Sequence, residues 1–309
     1  MSRLRIGTRA SALATAQTAQ IAARLGDHEI VTISSEGDRD QATALASLGG
    51  AGVFVSNLRD ALLAGDVDVV VHSYKDLPTA TAEGIELVAV PKRADARDAF
   101  CSTGPRLADL APGARVGTGS PRRRAQLLAA RPDLDVVAIR GNVDTRLGRL
   151  TSDDPERRLD GVVLAAAGLD RLGRTGEVRE LLELASWPTA PAQGALALEI
   201  RRDASADVRR RAAKLDHRPT RLAAAAERGV LARLEAGCAA PVAATALLED
   251  GLLFLTATVY ALDGSDSITA SHAAYPEDSA DPAGELAGRV AQELLDLGAA
   301  ELAPVGGDR

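Results

Sequence analysis

The chain has 309 residues, enough for two or three domains that each bury a core. With 46% hydrophobic and 26% charged residues the composition is globular; a net charge of −7 and 2% aromatics argue against a nonspecific nucleic-acid binder with stacking platforms. Two cysteines in dissimilar contexts make no disulfide framework, the four histidines are scattered away from any metal-ligand spacing, and no run approaches the roughly 20 apolar residues of a membrane span. The opening MSRLRIGTRASALATAQTA holds charge but no signal-peptide apolar core, so a cytoplasmic protein without a metal is expected.

In chain order, Leu4–Gly7 reads as a strand, Thr8–Ser11 as a turn and Ala12–Leu25 as a helix that Ser11 can cap, with Arg9 just before it. A strand at Glu29–Ser34 leads to the polar turn SEGDRD and then to a glycine-rich, mobile loop at Leu45–Gly52. Val53–Ala64 is helical. The β-branched run Val67–Val71 predicts a strand buried on both faces of a parallel sheet, running out in HSYKDLP. Lys75 and Asp76 therefore stand past a strand's carboxyl end, where α/β sheets collect ligand groups. For Asp76 a turn aspartate capping its own backbone competes with a site carboxylate, and His72 reads as a packed strand-end residue. Glu86–Val90 is a further strand, and Pro91–Asp98 a first interdomain crossing; Cys101, at the start of the next strand, is a small buried hydrophobe.

The stretch VGTGSPRRRAQLLAARPDLDVVAIRGNVDTR, Val116–Arg146, alternates strand, tight loop and helix twice. At the first junction Gly119 turns, Ser120 caps and Pro121 suits the first helical position, so free backbone N–H groups form an anion site. Arg122 and Arg123 follow at once, although the helix dipole there disfavours each cation by about 0.3–1 kcal/mol. The second junction repeats the device with Arg140, Asn142 as cap and Arg146. A solvated charged face leaves this crowding at helix starts unexplained; a pocket for a polyanion accounts for it. No GxxxxGK[ST] or strand-borne GxGxxG is present, so carboxylates, which arginine grips with two parallel hydrogen bonds, compete with phosphate.

Gly161–Ala165 is a strand followed by AAGLDRLG with Arg171, and Trp187–Gly194 is a second crossing. After the strand Ala195–Ile200 the pattern changes. A helix at Thr220–Glu235 stops at Gly237, Cys238 sits on a loop, strands follow at Val242–Leu248, Leu252–Ala261 and Ser267–Ala274, and a helix closes near Pro282–Leu297. Cys238 has no thiol partner and no evident histidine base; such a thiolate can still carry a covalent group, and nearby arginines would lower its pKa. A two-lobed anion-binding module explains the arginines but gives Cys238 no task, and a regulatory nucleic-acid binder conflicts with the overall acidity.

Together RIGTRASALA (5–14), VHSYKDLP (71–78), RDAF (97–100), VGTGSPRRRAQL (116–127), IRGNVDTRL (139–147), LAAAGLDRLG (164–173), AQGALALEIR (192–201) and EAGCAAPV (235–242) resemble the porphobilinogen deaminase (hydroxymethylbilane synthase) family, in order and spacing along essentially the full chain. The resemblance implies an α/β fold: two periplasmic-binding-protein-like α/β domains plus a small C-terminal α+β domain with a three-stranded antiparallel sheet. It divides the chain into domain 1 (1–93 and 195–213), domain 2 (96–190) and domain 3 (217–309). It implies a monomeric cytoplasmic transferase of tetrapyrrole biosynthesis, with no nucleic-acid or membrane partner. Four porphobilinogen molecules are condensed head to tail, with loss of ammonia, onto a dipyrromethane cofactor thioether-linked at Cys238, and hydroxymethylbilane is released. By position, Asp76 matches the catalytic aspartate. Lys75, Thr118, Ser120, Arg122, Arg123 and Arg146 match cofactor-binding positions; Arg9, Ser11, Arg140 and Arg171 match substrate-binding ones; Gln193 matches a position near the second crossing. Departures from the family pattern are Ala51 and Ser56 where lysines are common, Gly119 for serine, and Ala192 and Ala236 for glycines.

Overall fold

The computed structural model describes residues 3–33, 51–236 and 240–305, with side chains from Val55 onward in the helix that opens at Ala51. Of the sequence expectations, the SEGDRD turn (35–40), the 45–50 part of the glycine-rich loop, the helix stop at Gly237 and Cys238 lie outside the described residues.

In chain order the elements are β1 (Leu4–Arg9), α1 (Ala12–Leu25), β2 (His28–Ile33), α2 (Ala51–Ala64), β3 (Val69–Ser73), β4 (Ile85–Ala89), β5 (Asp98–Cys101), β6 (Arg115–Thr118), α3 (Pro121–Ala130), β7 (Asp135–Ala138), α4 (Val143–Leu147), β8 (Gly161–Ala165), α5 (Ala166–Arg171), β9 (Val178–Leu182), β10 (Leu196–Arg201), α6 (Ala206–Ala213), α7 (Arg218–Arg233), β11 (Val242–Glu249), β12 (Leu252–Tyr260), β13 (Ser267–Ala274), α8 (Pro282–Asp296) and α9 (Ala299–Leu302). The expected caps Ser11 and Asn142 form, and Asp281, not foreseen, caps α8. Ser11 Oγ accepts from the Ala14 N–H at 3.2 Å, Asn142 Oδ1 from the Thr145 N–H at 2.8 Å, and Asp281 Oδ1 from the Gly284 N–H at 3.0 Å.

The chain divides into two compact units, Met1–Ala94 with Ala195–Arg221, and Asp95–Gly194 with Leu222–Arg309. The first holds a five-stranded sheet in the order β2-β1-β3-β10-β4. β1 runs parallel to β2 and β3, whereas β10 runs antiparallel to β3 and β4. One face packs Leu4, Ile6, Val69, Val71 and Leu198 against Ile21, Ala22 and Leu25 of α1; the other packs Val67, Val70 and Ile85 against Leu58 and Leu62 of α2. Apolar side chains on both faces account for the unbroken hydrophobic run of β3.

The second unit holds a sheet in the order β7-β6-β8-β5-β9, again with three parallel strands and two antiparallel contacts, plus the antiparallel sheet β11-β12-β13. Fully buried Phe100 fills one face of the five-stranded sheet. A Cβ on Gly161 would stand 2.3 Å from its Cζ, so that strand position has room only for glycine. The three-stranded sheet covers its apolar face with Ala226 and Val230 of α7, Leu234 just after it, and Leu286, Val290 and Leu294 of α8. The result is the mixed α/β architecture with a small antiparallel C-terminal sheet that the sequence led one to expect.

Three local expectations shift. β3 begins at Val69 rather than Val67, and the first crossing ends inside a strand, because Asp98 already belongs to β5. Cys101 closes that strand instead of opening it. β9 and α6 had no clear signal: VRELL is a half-exposed edge strand paired through β5, and ADVRRRAA is a short helix dominated by charge.

Candidate functional site

In the first unit the candidate residues gather at the carboxyl ends of two neighbouring parallel strands. β1 and β3 pair with Ile6 opposite Val69 and Gly7 opposite Val70, so Arg9 finishes its strand beside the end of β3. Two buried polar contacts brace this edge from α1: Thr18 Oγ1 donates to Thr8 Oγ1 at 2.8 Å, and Ser73 Oγ donates to Gln17 Oε1 at 3.1 Å. Beyond Ser73 the chain makes a single 3-10 turn, Tyr74–Asp76, tied down by the Tyr74 N–H to the Ala195 carbonyl at 3.0 Å. Tyr74 is buried, Lys75 is half-buried and Asp76 is exposed. The turn thus presents a carboxylate to solvent from a rigid strand end, and Ser11, as cap of α1, lies on the same edge.

Below this edge lies an ion network. Arg59 of α2 donates to Glu199 of β10 through both Nε (3.0 Å) and Nη2 (2.6 Å), and His72 Nε2 stands 3.1 Å from the same carboxylate. Burial opposes ionisation of Glu199, but His72 and Arg59 outweigh it and hold its pKa at about 2. His72 is the packed strand residue anticipated from sequence.

In the second unit β6, β7 and β8 deliver residues to the equivalent edge. Thr118 ends β6 opposite Ala138 of β7, and its buried Oγ1 accepts from the Ser120 N–H at 3.2 Å. Ser120 caps α3 by accepting from the Arg123 N–H at 3.4 Å. A Cβ on Gly119 would meet the Ile139 carbonyl oxygen at 2.6 Å, so the turn that departs from the family serine keeps this position bare.

Arg122 and Arg123 do not reach outward from this junction. They are 3% and 6% exposed and turn onto one buried carboxylate, Asp98. Burial works against this charge too, but Arg122 and Arg123 overcome it and hold the Asp98 carboxyl far below the usual range. Burial also pushes Arg122 down, without depriving an arginine of its proton. Asp98 is the site residue that sequence reasoning missed. It was legible only as the second letter of RDAF, four residues that gave no sign of where their partners lay.

Arg140, Arg146 and Arg171 behave differently. Arg140 is exposed just past β7; Arg146 donates from Nε to the Gly141 carbonyl at 2.9 Å, and Arg171 from Nη2 to the Gly194 carbonyl at 2.7 Å. Among the described residues no carboxylate lies within 4 Å of these three guanidinium groups, whereas Arg5, Arg59, Arg97 and Arg221 each have at least one. Burial lowers the pKa of Arg146, helped by the positive charge of Arg123, and burial likewise lowers that of Arg171. Cations held half-buried without counter-ions fit a ligand that brings its own negative charges. By contrast, a cavity of about 320 Å³ at the opposite end of β1 is lined by Arg3, Arg5, Asp68 and Arg201, and its cations are already matched: Arg5 to Asp68, Arg201 to Asp203 and Arg3 to Glu29.

Two family models match the chain: porphobilinogen deaminase, dipyromethane cofactor binding domain, over residues 4–209, and porphobilinogen deaminase, C-terminal domain, over residues 221–296. The chain belongs to the porphobilinogen deaminase family. Among relatives in this family, the porphobilinogen deaminase of Leifsonia xyli subsp. xyli is 54% identical over 320 residues, covering 99% of this chain and 96% of that one. The Thermobifida fusca protein is 49% identical (96% and 95% covered), and that of Mycobacterium tuberculosis 50% (97% and 98%). Among solved structures the chain is similar to a TRAP periplasmic solute binding protein from Pseudomonas putida F1 with bound D-glucuronate, at a TM-score of 0.36 and 11% identity over 70% of this chain and 78% of that one. As a deaminase-family enzyme the chain carries that family's cofactor binding domain in residues 4–209, the stretch that contains both strand-end edges.

Proposed function

We propose that this enzyme condenses four porphobilinogen molecules head to tail, with loss of ammonia, on a dipyrromethane primer thioether-linked to Cys238, and releases hydroxymethylbilane. The observation that carries this reading is the set of arginines at the edge of the second five-stranded sheet that have no carboxylate within 4 Å among the described residues. Porphobilinogen bears an acetate and a propionate, so each added unit brings two carboxylates, and Arg140, Arg146 and Arg171 are cations with no acid within 4 Å among the described residues. By their positions in the family pattern, Lys75, Thr118, Ser120, Arg122, Arg123 and Arg146 are assigned to the cofactor's carboxylates, and Arg9, Ser11, Arg140 and Arg171 to those of the substrate. When bound, the dipyrromethane supplies the electron-rich pyrrole carbon onto which the chain grows.

Asp76 is the catalytic residue. Its exposed carboxylate on a braced turn stabilises the positive charge that develops on the substrate pyrrole as ammonia leaves. Burying Tyr74 and bonding its N–H to Ala195 fixes that carboxylate before substrate arrives. We further read the chain as three domains, 1–93 with 195–213, 96–190 and 217–309, acting as a cytoplasmic monomer without nucleic-acid or membrane partners. In keeping with this, no helix among the described residues is long and apolar enough to cross a membrane.

An intact mass spectrum of untreated protein, from cells that make porphobilinogen, tests the proposal. The expected mass exceeds that of the chain by one dipyrromethane, and Cys238→Ser loses the increment. A bare chain mass for the unaltered protein would overturn the reading.

A further inference from the structure

Asp98 is wholly buried, and each of its oxygens has one arginine and one neutral N–H donor against it. Oδ1 faces Arg123 Nη2 at 2.6 Å and Gln193 Nε2 at 2.8 Å; Oδ2 faces Arg122 Nη1 at 2.9 Å and Trp187 Nε1 at 3.1 Å. The donors come from the first turn of α3 and from both ends of the second crossing, while Asp98 itself begins the strand that follows the first crossing. Arg122 Nη1 also donates to the Pro188 carbonyl at 3.1 Å and to Gln126 Oε1 at 2.6 Å, and Arg123 Nη1 to the Val163 carbonyl at 3.1 Å. Each guanidinium is thus fixed in both position and plane. Without Asp98, two adjacent buried cations would stand at a helix start whose dipole repels them. Even with Asp98 the group keeps one net positive charge, and among the described residues the buried Nε of both arginines has no hydrogen-bond acceptor.

We propose that Asp98 is a positioning residue, which holds Arg122 and Arg123 as one preformed cationic pair and so allows the dipyrromethane to be captured. The inference rests on the reading in which these arginines hold the cofactor's carboxylates. It assigns Asp98 a charge role rather than a packing one: the carboxylate keeps two like charges side by side, and a neutral group of the same shape does not. The surface pair Arg131–Asp133 in the same unit, 2.6 Å apart, has the same chemistry away from the site.

The test compares wild type, Asp98→Asn and Asp133→Asn, each produced in cells that make porphobilinogen. Circular dichroism establishes the folded fraction, intact mass the fraction carrying the adduct, and the emission of Trp187, the chain's single tryptophan, reports on the network. Expected are full loading of wild type and Asp133→Asn, at least tenfold lower loading of folded Asp98→Asn, and a shifted Trp187 emission in that variant alone. Wild-type loading of Asp98→Asn would overturn the proposal and leave the cofactor reading intact, whereas an unloaded wild type would sink the cofactor reading itself. If Asp98→Asn does not fold, Asp98→Glu carries the test. It keeps the charge but moves it by one methylene, and it is expected to fold with slowed cofactor loading; loading as fast as wild type would overturn the proposal.

Discussion

The two five-stranded sheets share one plan. In the first, β10 runs antiparallel between β3 and β4; in the second, β5 runs antiparallel between β8 and β9, and each of these strands follows a crossing. Leu196 faces Ser73, the last residue of β3, as Asp98 faces Ala165, the last of β8; three residues deeper, Glu199 faces Val70 as Cys101 faces Val162. Each sheet therefore buries one carboxylate on the same strand at a different depth. The deep one, Glu199, locks Arg59 and His72 into the interior and leaves the strand-end turn free to present Asp76. The edge one, Asp98, gathers arginines where ligands arrive. One framework thus makes a reactive edge or a gripping edge by moving an acid three positions along a strand.

Removing the product of the first arrangement should have the largest consequence. Asp76→Ala is expected to reduce turnover by at least about 10²–10³-fold, the range for loss of one electrostatic stabiliser of a developing charge. The melting temperature should stay near that of wild type, because the side chain is exposed. Steady-state product formation and thermal melting check this, and substantial retained turnover would move the chemistry to another group.

The deep acid can be broken next. Glu199→Ala leaves half-buried Arg59 uncompensated and is expected to destabilise the protein by up to about 3 kcal/mol, the lower bound for halving a fully buried ion pair. Denaturant unfolding measures it. A loss below about 1 kcal/mol would mean that water replaces the carboxylate. Acid sharpens the same contrast. The Glu199 pKa is depressed from 4.5 to about 2, so its contribution to stability is fully present above pH 4.5 and is lost as pH falls toward 2. The Asp98 carboxyl is depressed further by its two arginines, so the second unit's network should outlast the first unit's. Residue-resolved NMR through an acid titration should show Arg59 and His72 responding before Trp187; the reverse order would contradict the assigned partners.

Much of this plan was legible in the sequence, for reasons that differ by residue. Caps at Ser11, Ser120 and Asn142 are local chemistry, written within three residues of the N–H they satisfy. The apolar run Val67–Val71 announced a strand covered on both faces, and thereby the strand-end position of Lys75 and Asp76. The arginine-rich junctions pointed correctly to an unusual concentration of cations. What they hid was its division: among the described residues Arg140, Arg146 and Arg171 have no carboxylate within 4 Å, while Arg122 and Arg123 are turned inward. That division depends on Asp98, 24 and 25 positions before its partners and brought to them by strand order alone. Ala192 was legible as a departure from glycine but not as strained; it holds φ at 60°, fixed by its N–H to Glu227 Oε2 at 2.6 Å, a contact across 35 positions.

The smallest expected effect concerns the position in the second sheet that matches Glu199. Cys101 is fully buried in the apolar cluster of Ile139, Leu147 and Leu164. Burial, and secondarily the charge of Glu177, pushes its thiol up to about 12, against a weaker pull from Arg123. At pH 8 only roughly one thiol in ten thousand is ionised, and thiolate is the form that alkylates. Iodoacetamide should therefore leave Cys101 unmodified in the native protein and modify it after unfolding in urea, as peptide mapping would show. Native alkylation at a rate near that of the unfolded chain would mean that β5 leaves its sheet. Because Asp98 lies on that same four-residue strand, the two buried arginines would then lose their counter-ion as often as Cys101 reached solvent.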